Sequence, residues 1–129
     1  MKKIFAKLAA LVLALGMAGS CAQAQESINV ISREDGSGTR GAFIELFGIE
    51  QKDADGNKVD YTTDDCDITN STSVMMVSVS GNKNAIGYIS LGSLNDTVKA
   101  VKIDGVAPSV AAIKEGAYKI ARPFNIATG

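Results

Sequence analysis

The chain of 129 residues contains no histidine and no tryptophan, two prolines and two cysteines, and 5% aromatic residues. Each shortage removes a class of chemistry. Without histidine there is no imidazole base for a serine nucleophile, and the commonest ligand of transition metals is missing. Cys21 falls in the leader, which leaves Cys66 alone, so no intramolecular disulfide is expected even after export. An excess of positive charge is lacking too. Once the three lysines of the leader are set aside, ten Lys and Arg stand against 14 Asp and Glu, and nothing draws the chain to nucleic acid or to an anionic membrane surface. A negative balance does not forbid anion binding, because backbone dipoles and one oriented arginine act locally while distant charges are screened within about 10 Å.

What the chain does have begins with a basic start, Met1 to Lys7, and an apolar run, Leu8 to Leu15, too short to span a bilayer. This pattern is a secretory signal, with two competing exits. Ala18-Gly19-Ser20-Cys21 resembles a lipobox, in which Cys21 is acylated and becomes the first mature residue; Ala22-Gln23-Ala24 suits ordinary cleavage after Ala24. The lipoprotein exit is favoured, since a cysteine directly after the apolar core is otherwise unexplained. The division is therefore a signal peptide over 1–20 and one domain over 21–129, exported to the periplasm or cell surface, touching membrane only through a lipid anchor. The domain is long enough for one core, not two.

The chain is organised around Ile31-Ser32-Arg33-Glu34-Asp35-Gly36-Ser37-Gly38-Thr39-Arg40-Gly41. An apolar alternation before it reads as a strand, and Ala42 to Phe47 after it reads as a helix. A glycine-rich turn at a helix start leaves backbone N–H groups unpaired at the positive end of the helix dipole, with Ser37 and Thr39 adding hydroxyls. Arg33 supplies a permanent charge and a planar fork that matches two phosphate oxygens. The same residues have other readings. Gly36 to Gly41 satisfies the G-x-G-x-x-G dinucleotide fingerprint, but Arg33-Glu34-Asp35 separates the first glycine from the strand. The Gly-Lys-Ser/Thr of a P-loop and the G-x-S-x-G of a nucleophile elbow are both absent. A plain helix cap with no ligand also fits.

Arg33, Ser37, Gly38 and Thr39, in the spacing Arg-x-x-x-Ser-Gly-Thr, resemble the phosphate-contacting motif of the substrate-binding proteins of phosphate ABC transporters. The resemblance continues through Asn70 to Met76, Asn84 to Ser90 and Arg122 to Asn125, nearly the whole chain after its leader. It implies an α/β fold, one lobe of the type II periplasmic-binding-protein-like architecture with a mixed sheet flanked by helices. It also implies inorganic phosphate as ligand, delivery to an ABC permease without catalysis, and no cofactor or metal. Within the site Arg33 pairs with phosphate oxygens, Ser37 and Thr39 donate hydroxyl bonds, Gly38 donates N–H, and Asp35 orients Arg33 from outside the anion's contact shell. The family has two lobes and this motif belongs to the second. First-lobe ligands have no counterpart here, so a complementary lobe or a homo-oligomer is expected. The alternative is a free-standing anion-sensing or interaction module with weak or no phosphate binding.

The remaining segments are read more coarsely. Asp53 to Asp64 has the acidic spacing of a calcium loop, but Lys58 stands where glycine is needed, so a solvated hairpin turning at Asp55-Gly56 is expected. Cys66 to Thr69 includes a short strand, with Cys66 buried beside Ile68. The β-branched Val74 to Val79 argues for a strand and the resemblance for a helix starting at Asn70-Ser71; the helix is preferred, with Met75 and Met76 as core fillers. Ala85 to Ile89 reads as a buried strand in which Gly87 allows a close approach. Val98, Ala100 and Ile103 suggest an edge strand, Pro108 the first turn of a helix over Ser109 to Lys114, and Tyr118 to Ile126 a last extended segment.

Overall fold

The computed structural model describes residues 26–123. The leader, Cys21 and the alternative cleavage site lie outside the described residues, as do the last positions of the expected terminal strand. In chain order the elements are β1 (Asn29–Arg33), α1 (Gly38–Leu46), β2 (Glu50–Lys52), β3 (Lys58–Asp60), β4 (Cys66–Thr69), α2 (Thr72–Gly81), β5 (Ala85–Ile86), a 3-10 turn (Leu91–Ser93) and α3 (Val110–Lys114).

The β-branched Val30 and Ile31 make β1 the central strand of a parallel sheet in the order β4-β1-β5. Val30 lies opposite Cys66 and Arg33 opposite Thr69, while Asn29 lies opposite Ala85. Within this strand Ile31 and Ser32 are only 4% and 2% exposed. The lobe is α/β as expected. Among the described residues its parallel and antiparallel pairings sit in separate sheets, because β2 and β3 pair with each other as a hairpin. The Asp53 carboxylate turns inward at the tip of that hairpin and accepts the amides of Asp55 and Asn57 at 2.9 and 2.8 Å, so it stabilises the turn.

The three α-helices among the described residues each start on a serine. Ser37, Ser71 and Ser109 have extended backbones, and their hydroxyls accept from Arg40, Val74 and Ala112 at 3.3, 3.1 and 3.1 Å. Pro108 therefore precedes the cap of α3 and is not inside its first turn. Capping by Ser71 and burial of Met75, 1% exposed, settle α2 as a helix against the β propensity of its valines. Helix α2 packs on the sheet over Gly87. A Cβ there would collide with the Met75 sulfur and lie 3.3 Å from Val79 Cγ2.

Four expectations change. The strand expected over Ala85 to Ile89 stops at Ile86, since Gly87 and Tyr88 leave the ladder to meet α2 and α1. Among the described residues Val98 to Ile103 pairs with no sheet: the two-residue β5 offers it almost no edge, and a bridge joins Ile103 to Val106 around a turn with φ of 51° at Asp104 and 79° at Gly105. Residues 118–123 form no strand either. Cys66 is half-buried, with Ile68 58% exposed, because β4 is an edge strand. Among the described residues the buried apolar side chains are Ile31, Ile44 and Met75, beside an apolar cavity of about 610 Å³ whose lining includes Phe43, Val79, Ile103 and Ile113.

Candidate functional site

Because β1 and β4 run parallel, their carboxyl ends reach the same edge of the sheet, and each is followed by a serine-capped helix. Ligand crevices of open α/β sheets lie at that edge. The turn between β1 and α1 closes when the Ser37 amide donates to the Glu34 carbonyl at 3.2 Å. Gly36, with φ of 82°, makes it possible. Ser37 Oγ accepts from the Arg40 amide, which leaves its own proton to donate. The amides of Gly38 and Thr39, as the first residues of α1, find no acceptor within the helix. The half-buried Thr39 side chain stands beside them.

Arg33 ends β1 with its side chain 11% exposed. Its Nε and Nη2 donate to both Glu34 oxygens at 2.8 and 3.0 Å, and Nη1 reaches Thr72 Oγ1, on the first residue of α2, at 3.5 Å. Arg33 thus lies between the starts of two helices. The hydrogen bond to Arg33 holds the Glu34 carboxyl below the usual carboxylate range, and the same bond raises the arginine's own pKa.

Asp35 does not orient Arg33. It pairs with Arg40 Nη1 and is otherwise 97% exposed, while Arg40 Nη2 reaches Asp60 at 2.5 Å. The turn at Gly36 carries Asp35 over the first turn of α1, where Arg40 waits, and the longer Glu34 forks onto Arg33 instead. Burial works against the Arg40 charge and is outweighed by its bonds to Asp35 and Asp60. Burial likewise opposes the Asp60 charge, yet bonds from Thr62 and Arg40 hold that carboxyl low. Arg40 therefore ties the β2–β3 hairpin to α1.

Of the expected site residues, Arg33, Ser37, Gly38 and Thr39 share this one corner, and Cys21 lies outside the described residues. Sequence reasoning missed four contributors. Glu34 was passed over in favour of Asp35, and Thr72 and Arg122 stood in segments already singled out but without a role. Tyr88 stood in such a segment too, Asn84 to Ser90, with nothing local to mark its role. Its hydroxyl lies 2.9 Å from Ser32 Oγ and accepts the Arg33 amide at 3.1 Å, while its ring stacks on Phe43 with centroids 4.0 Å apart. Arg122 Nη2 donates to the Gly38 carbonyl at 2.8 Å, across 84 residues of sequence.

Comparison with known proteins places this corner in context. Residues 2–128 match the family described as the PBP superfamily domain. The phosphate-binding protein PstS 2 of Streptococcus agalactiae is 56% identical over 122 residues, which are 91% of this chain and 42% of that protein. A crystal structure of the phosphate-binding protein of a Streptococcus pneumoniae phosphate ABC transporter superposes with a TM-score of 0.69 at 55% identity, covering 72% of this chain and 36% of that one. An ABC-type phosphate transport receptor from Vibrio cholerae superposes with a TM-score of 0.67 at 32% identity, covering 74% and 37%. The chain spans less than half the length of each of these relatives.

Proposed function

Since the chain belongs to the PBP superfamily, we propose that it is a phosphate-binding lobe of a phosphate ABC transporter's solute-binding protein, working by binding and not by catalysis. The observation that carries this reading is the corner after β1. There Gly38 and Thr39 amides, the Ser37 and Thr39 hydroxyls and the Arg33 guanidinium are grouped at the start of one helix, with the start of a second within reach of Arg33. Backbone N–H groups at a helix start and a planar guanidinium are complementary to a tetrahedral dianion. The streptococcal relatives named as phosphate-binding proteins support phosphate as the anion. On this reading the protein is exported, with Cys21 as its lipid anchor, and hands phosphate to an ABC permease. Neither step needs a cofactor.

The test is phosphate titration followed by the amide signals of Gly38 and Thr39, with sulfate as control. Arg33→Ala should weaken the phosphate response at least tenfold, as expected for loss of a charge-assisted contact of about 1.5 kcal/mol or more, whereas Lys52→Ala on the distant hairpin should leave it unchanged. Equal effects of the two substitutions would remove the motif from the site.

A further inference from the structure

The charges around the corner do not add up to an anion site if only Arg33 is counted. Arg33 is matched by Glu34, and Arg40 by two carboxylates, Asp35 and Asp60. These two arginines and three carboxylates together present a net negative charge to any ligand. Arg122 differs. Its contact is the neutral carbonyl of Gly38 at 2.8 Å, and among the described residues no carboxylate pairs with it. Backbone dimensions put the nitrogen of Gly38 within about 3.7 Å of its own carbonyl oxygen, so the Arg122 fork lies within about 6.5 Å of the amide assigned to the anion. A Cβ on Gly38 would sit 3.7 Å from the same Nη2, so the guanidinium rests directly against this residue.

We propose that Arg122 is a positioning and charge-supplying residue of the phosphate site: it holds the first turn of α1 through Gly38 and contributes the uncompensated positive charge that Arg33, bound to Glu34, does not. This inference rests on the phosphate-binding reading above. Arg33 then acts as an oriented donor whose charge is already balanced, while Arg122 offsets the carboxylates of Glu34 and Asp35 as a dianion approaches. The device spans the sequence, since a residue near the end of the described chain completes a motif near its beginning.

The two roles of Arg122 separate by substitution. In Arg122→Gln the charge is lost while a shorter hydrogen-bonding amide remains; in Arg122→Lys the charge stays and the planar fork is lost. Each full-length variant is titrated with inorganic phosphate at constant pH and two ionic strengths, read by the Gly38 and Thr39 amide shifts, with Arg33→Ala alongside. Arg122→Gln should weaken phosphate binding about tenfold at low salt, and the deficit should shrink at high salt, as for a dianion losing one nearby charge in high dielectric. Arg122→Lys should stay within about threefold of the parent. If Arg122→Gln binds like the parent while Arg33→Ala is impaired, Arg122 is only a backbone tie and this inference falls alone. Equal impairment of Gln and Lys variants, with no salt dependence, also overturns it. If phosphate moves neither amide in the parent, the functional reading falls and takes this inference with it.

Discussion

At the residue scale, the alignment of Arg33 depends on groups outside the proposed anion contacts. Glu34 holds two of its nitrogens, and the Tyr88 hydroxyl accepts its backbone amide while bonding the buried Ser32. In Tyr88→Phe the stack on Phe43 survives, but the Arg33 amide and the Ser32 hydroxyl, 2% exposed as a residue, lose their partner. An unsatisfied buried polar group costs about 1–3 kcal/mol, so the urea midpoint should fall by that equivalent. Adding Ser32→Ala should recover part of the loss, since the orphaned hydroxyl goes too. An unchanged midpoint in Tyr88→Phe would mean that these bonds contribute nothing. Arg33, Ser37 and Gly38 were legible in the sequence because their chemistry is local: a turn, a cap, a fork. The choice of Glu34 over Asp35 was not, because it depends on which way the turn at Gly36 points each carboxylate. Tyr88 was out of reach, as its role requires β5 to lie beside β1.

At the scale of elements, the serine caps and turn glycines carried most of the information. Gly48, with φ of 67°, ends α1, and Gly116, with φ of 73°, follows α3, the left-handed conformation that glycine supplies after a helix. Local reading failed where an element depends on a neighbour. Val98 to Ile103 has the alternation of a strand but no edge to join, and the valines of α2 favour a strand until Met75 and Gly87 fix the helix on the sheet. That helix–sheet contact gives a direct test. Gly87→Ala places a methyl against the Met75 sulfur and Val79, and overpacking of this kind costs about 1–3 kcal/mol. Thermal unfolding should show a lower midpoint for Gly87→Ala, and Met75→Leu in the same chain should restore part of it by withdrawing the thioether. A midpoint at or above that of the parent would show that α2 does not pack closely over Gly87.

At the scale of the molecule, apolar surface and a one-sided site point the same way. Ile28, Val77 and Val110 are 69%, 70% and 62% exposed, Ile68 and Val101 are 58% and 60% exposed, and an apolar cavity of about 610 Å³ adjoins the sheet. Where such residues form a contiguous patch, a partner normally covers it. The streptococcal relative extends well beyond the 42% of its length that this chain matches. If that further length surrounds the anion in the relatives, a chain with the corner after β1 alone leaves one face of phosphate in water, where each hydrogen bond competes with solvent. Removing about four charge-assisted bonds at roughly 1.5 kcal/mol each takes away on the order of 6 kcal/mol, which turns micromolar affinity into tens of millimolar. The strictly monomeric chain should therefore bind phosphate only in that weak range. Sedimentation should show association that grows with concentration, and a polypeptide carrying the relatives' unmatched length should raise phosphate affinity when added in trans. A micromolar constant for the monomer, selective over sulfate, would overturn this expectation, because the amides of Gly38 and Thr39 with Arg33 and Arg122 would then suffice to hold the dianion against water.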